Sequence, residues 1–130
     1  MSRLILRYTM SWLLIAAILT VCFIPVPETP VDNVPFIDKW VHIVMYFVLS
    51  SSLWIEYLRS HARINYKKLG IGAILLPILM SGLIELLQAY CTATRSGDWM
   101  DFLANSLGVA LAALAGFGWY RHRFLKKKAA

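Results

Sequence analysis

Four apolar runs divide the chain, at roughly residues 8–24, 40–57, 69–90 and 102–120. Each is long enough to cross a hydrocarbon layer of about 30 Å as an α-helix. Four of the five prolines, Pro25, Pro27, Pro30 and Pro35, fall between the first two runs, where their rings stop a helix from continuing. The pattern predicts an all-α fold: a four-span transmembrane helical bundle with short loops, forming one integral membrane domain over residues 1–130. No internal repeat interrupts it.

Composition supports a lipid rather than an aqueous setting. Of 130 residues, 59% are hydrophobic and 15% charged, and a water-soluble chain this small could not bury so much apolar surface. The net charge of +6 raises nucleic acid as a partner. The basic residues instead flank apolar runs: Arg3 and Arg7 at the N-terminus, then Arg59, Arg63, Lys67 and Lys68, then Arg121, Arg123, Lys126, Lys127 and Lys128. These eleven stand against Lys39 and Arg95 in the other two connections. The excess of Lys and Arg in cytoplasmic flanks orients both termini inward, with residues 121–130 as a basic cytoplasmic tail. Trp12, Trp40, Trp54, Trp99 and Trp119 all lie near predicted helix ends, as an interfacial aromatic belt requires.

Arg3 and Arg7 before an apolar run resemble the start of a signal peptide, but no small-residue cleavage site follows, so the first run reads as a retained anchor. Cys22 and Cys91 have no metal-binding spacing and read as small buried hydrophobes. Their shared nearness to outer helix ends leaves an extracytoplasmic disulfide as the alternative.

Five of the seven acids, Glu28, Asp32, Asp38, Asp98 and Asp101, lie in the outer connections or at helix starts there. Glu56 stands three residues before Arg59, on the same helix face, and reads as a surface ion pair at the inner end. Glu85 lies roughly 7 Å inside the Tyr90 boundary, where a carboxyl needs a partner or a polar cavity. Ser81, Glu85, Gln88 and Thr92 make one polar stripe, of which Ser81 and Gln88 suit helix–helix hydrogen bonding. Asp38, His42 and Tyr46 recur one turn apart, so that Asp38 can orient the His42 imidazole. Asp98 and Asp101 have the spacing of a capping pair, which leaves Asn105 and Arg95 unexplained. Ala104, Gly108, Ala112 and Gly116 form a small-residue ladder suited to packing. Topology then carries Asp38, His42, Glu85, Gln88, Arg95, Asp98, Asp101 and Asn105 to one depth at the outer face.

The order Asp38-Lys39-x-x-His42-x-x-x-Tyr46, Glu85-x-x-Gln88, Arg95-x-x-Asp98-x-x-Asp101-x-x-x-Asn105-x-x-Gly108 resembles the VanZ-like family of membrane proteins, which is named for a teicoplanin-resistance determinant. The resemblance runs from Asp38 to about Gly116. It implies a small multi-span protein of the bacterial cytoplasmic membrane, connected with the cell envelope and with glycopeptide or lipopeptide resistance. It also makes Glu85, Gln88, Arg95, Asp98, Asp101 and Asn105 the signature positions, without assigning them a chemistry.

Two functions compete. A binding protein would use Arg95 and Lys39 for phosphate or carboxylate, and the carboxylates, His42 and Tyr46 for amine, hydroxyl or sugar groups of an envelope lipid or a lipid-tailed antibiotic. An enzyme acting on a lipid-linked substrate would draw on His42, Glu85, Asp98 and Asp101, with His42 as base and Glu85 as acid, or with a metal-activated water. No metal motif or nucleophile motif is present, so neither a metal nor a cofactor is expected. A transporter would want its ionisable group nearer the midplane. Membrane lipids are the expected partners.

Overall fold

The computed structural model describes residues 2–24, 36–91 and 98–129, with side chains as far as residue 126. The regular elements among them are all helical. A short α1 (Ser2–Arg7) meets α2 (Thr9–Phe23) at Tyr8, and α3 covers Ile37–Ser60. Helix α4 runs Tyr66–Cys91 and α5 runs Trp99–Lys126, its backbone continuing to Ala129.

Helices α3, α4 and α5 have 24, 26 and 28 residues and are apolar enough to cross a membrane. The 15 residues of α2 span only roughly 22 Å, short of the full hydrocarbon thickness. The helices outrun the apolar sequence because a backbone ladder started in lipid propagates into the headgroup region. Asp38 and Lys39, just outside the predicted second span, therefore sit in the first turn of α3. Phe36 enters α3 with φ 59°, a left-handed conformation uncommon for a bulky residue. Asn65 caps α4 by accepting from the Lys68 amide at 3.1 Å.

Two π-helical turns, Ile71–Leu75 in α4 and Gly116–Tyr120 in α5, interrupt the long helices. The first precedes Pro77, which has no N–H for the Ala73 carbonyl four residues back. That carbonyl accepts from Ser50 Oγ of α3 at 2.5 Å instead.

The small-residue ladder is where α5 meets α3. A Cβ built on Gly108 would overlap the Ile43 carbonyl, and one on Gly116 would overlap the Trp54 ring. Ala104 and Ala112 are buried between them. One apolar cluster, Ile18, Cys22, Tyr46, Leu49, Ile84 and Val109, fills the half nearer the Asp38 and Asp98 ends of α3 and α5. A second, Trp54, Tyr57, Leu58, Leu69 and Ala73, fills the other half. The opposite faces expose leucines, among them Leu79, Leu83, Leu107, Leu111 and Leu114, as a lipid-facing surface does.

Three sequence expectations are corrected. Trp54 is fully buried rather than interfacial, because Gly116 leaves room for its ring and Phe117 meets it edge-on at 4.8 Å. Trp12, Trp40, Trp99 and Trp119 do stay exposed. Glu56 does not pair with Arg59: it accepts from the Met10 amide at 2.8 Å, the Ser11 amide at 3.2 Å and Ser11 Oγ at 2.6 Å. The break at Tyr8 turns these amides toward α3, and a carboxylate there satisfies several donors at once. The disulfide alternative also fails, since Cys22 is buried, Cys91 is exposed and the two are not bonded.

Candidate functional site

Helices α3, α4 and α5 bring their polar residues together at one end of the bundle. Asp98 caps α5, its Oδ1 accepting from the Met100 amide at 2.8 Å, but the reciprocal half of the expected Asp98–Asp101 capping pair is absent because Asp101 turns to Lys39. The Asp98 amide donates to Glu85 Oε2 on α4 at 2.9 Å, which fixes the start of α5 over the end of α4.

Lys39 occupies the centre. Its ammonium donates to Asp38 Oδ2 at 2.6 Å, Asp98 Oδ2 at 2.9 Å and Asp101 Oδ1 at 2.6 Å. An ammonium has three hydrogens, so these contacts use all of them. Three carboxylates against one ammonium leave two net negative charges in this group. The Lys39 bond, followed by the Met100 amide, holds the Asp98 carboxyl below the usual carboxylate range.

Beneath lies a second layer. His42 Nδ1 lies 2.9 Å from Asn105 Oδ1, and Asn105 Nδ2 donates to Ser81 Oγ at 2.8 Å, so a hydrogen-bonded chain runs from His42 to Ser81. His42 Nε2 faces Asp101 Oδ2 across 3.6 Å. The carboxylate that faces His42 is thus Asp101 rather than Asp38, a correction to the sequence reading. Residues one turn apart share a face, but Lys39 draws Asp38 to the rim.

Glu85 is 4% exposed, and its Oε1 has no hydrogen-bond partner among the described residues. Buried polar atoms are almost always satisfied, so such an oxygen marks a place for a donor.

The remaining predicted residues divide. Tyr46 lies one turn along α3 from His42, buried in the apolar cluster of the same half. Gln88 donates to the Cys22 carbonyl of α2 at 2.8 Å and serves helix–helix bonding outside the Lys39 group. Arg95 and Thr92 fall outside the described residues. Ser81, read from the sequence only as packing glue, proves to end the Asn105–His42 chain, and its place in the polar stripe was the signal for it. Among the described residues, no three His, Cys, Asp or Glu side chains are grouped to hold a metal ion.

The family model described as VanZ/LLP1 matches residues 9–120. That range takes in α2, ahead of the Asp38 position where the resemblance seen in the sequence begins. No curated protein and no solved structure matches the chain.

Proposed function

This chain belongs to the VanZ/LLP1 family, and we propose that it is a four-span protein of the bacterial cytoplasmic membrane, both termini inside, with a ligand site at the outer leaflet. The site takes the polar head of an amphipathic envelope molecule, either a lipid-linked precursor or a lipoglycopeptide such as teicoplanin, and thereby contributes to glycopeptide or lipopeptide resistance. The observation that carries this reading is the unsatisfied buried Glu85 Oε1, whose other oxygen accepts from the Asp98 amide at the rim of the Lys39 group.

The charge balance refines the ligand chemistry. Lys39 is occupied by three carboxylates, so the cluster suits an amine or hydroxyl group rather than a phosphate. Asp38 and Asp98 are the more open carboxylates and meet the head first. The acyl part lies along the exposed leucines in lipid.

A second reading rests on the 3.6 Å separation of His42 Nε2 from Asp101. In that reading Asn105 and Asp101 hold the His42 ring in place, and its imidazole serves as the general base of a membrane hydrolase or transferase.

Binding of teicoplanin and of a lipid-linked precursor to the purified protein tests the first reading. Binding is expected to fall in Glu85→Gln and Asp101→Asn and to persist in Ser106→Ala. Equal binding by all four proteins would sink it. Lipid mass profiles of a deletion strain separate the readings, because only the enzyme leaves an accumulated substrate.

A further inference from the structure

A cavity of about 540 Å3 lies between α2 and α4, in the half of the bundle away from the Lys39 cluster. The two helices are tied at the other end, where Gln88 donates to the Cys22 carbonyl. Trp12 and Ile15 of α2, Leu49 and Leu53 of α3, and Leu76 and Met80 of α4 wall the space, and the lining is apolar through most of its depth. Gly72, in the π-helical turn before Pro77, also lines it, and a Cβ added there meets nothing within 4 Å. That turn is of the kind that often marks functional positions.

The polar groups of the cavity gather at its basic end. Tyr8, His61 and Lys68 line that mouth, and among the described residues the lining includes no acid, although Ser11 in the lining donates to Glu56 behind it. Lys68 closes the connection that also carries Arg59, Arg63 and Lys67. An apolar slot of ligand size whose mouth opens beside Lys68 and its basic neighbours, with the nearby Glu56 carboxylate engaged by the α2 amides and Ser11, has the chemistry of an acidic lipid site.

We infer that this cavity holds an acyl chain of an anionic glycerophospholipid, with the lipid phosphate at Lys68. The apolar walls remove the chain from competition with bulk lipid, and Lys68 selects the charge of the head. A zwitterionic lipid brings its own ammonium to this mouth and is disfavoured there. In the orientation proposed above, the site faces the cytoplasmic leaflet, remote from the outer ligand site; occupancy itself does not depend on that orientation.

Native mass spectrometry of the full chain in detergent tests this, after delipidation and addition of phosphatidylglycerol, phosphatidylcholine of the same acyl chains, or oleate. One phosphatidylglycerol is expected per chain, retained at least about fivefold better than phosphatidylcholine, the effect of one basic side chain near a phosphate. Lys68→Glu, a change at an exposed position, is expected to abolish that preference, and Gly72→Leu to reduce retention by filling the slot. Three results would overturn the inference: equal retention of phosphatidylcholine, equal retention of oleate, or phosphatidylglycerol retention untouched by both substitutions. So would a dimer lost in Gly72→Leu with no lipid bound, which would assign the cavity to a second copy of the chain. A failed outer-site binding assay leaves these readings unchanged, so the two proposals fail separately.

Discussion

Lys39 holds three carboxylates within hydrogen-bond distance of one ammonium, and the ammonium is what lets Asp38, Asp98 and Asp101 share that space. Lys39→Met is therefore expected to lower stability by about 2 kcal/mol, the range for losing charged hydrogen bonds in a partly buried setting. Unfolding in mixed detergent micelles measures this, and a variant as stable as the parent would show the cluster to be slack. Asp98 carries a pH dependence. Its folded-state pKa lies below the ordinary value near ~3.9, so its contribution is complete above that value and disappears as pH falls through the folded-state value. Asn caps a helix about as well as Asp, so Asp98→Asn isolates the charge. The variant is expected to lose less of its melting temperature than the parent below about pH 4. Of these contacts, the sequence disclosed the cap at Asp98 and the acidic neighbourhood. It did not disclose that Lys39 would point at carboxylates, because a lysine in an outer connection serves a ligand phosphate equally well.

Of the four longer helices, α2 buries the fewest apolar residues, Ile18 and Cys22, and particular polar bonds hold it at both ends. At one end Glu56 takes the amides of Met10 and Ser11 with the Ser11 hydroxyl, and at the other Gln88 takes the Cys22 carbonyl. Glu56→Ala leaves those donors without this acceptor and is expected to cost about 1–2 kcal/mol, the scale of a lost helix cap. Faster proteolysis or cysteine labelling near Ser11 is its local signature; unchanged labelling would show that α2 does not need the clamp. The α3–α5 contact behaves oppositely, since it is made by what is missing from the side chains. Gly108→Leu forces a side chain against the Ile43 carbonyl, and Gly116→Leu forces one against Trp54. Both are expected to destabilise by about 1–3 kcal/mol or more, the cost of overfilling a close contact. Gly72→Leu, with open space at its Cβ, is the matched control. The ladder was legible as packing because small residues at four-residue spacing have few other uses. The clamp was not legible, because Arg59 on the same face gave Glu56 a nearer partner than a helix forty-five residues away.

For the molecule as a whole, the proposed orientation makes one further prediction. A green fluorescent protein fused after Ala130 is expected to fluoresce and an alkaline phosphatase fused there to stay inactive, whereas the reverse would invert the topology. Hydropathy alone determined that the chain is helical and built for lipid, since long apolar runs allow little else. The recurring Asp, His, Glu and Asn spacings placed these polar residues on helices able to converge, and the family model matches residues 9–120. Only the tertiary structure decided how they pair. Asp101 rather than Asp38 faces His42, Asn105 joins His42 to Ser81, and Glu85 reaches the Asp98 amide while leaving one oxygen unsatisfied. Periodicity reports which face of a helix a residue occupies. The rotation and depth at which two faces meet depend on where the backbones can approach, and here Gly108 and Gly116 set that approach.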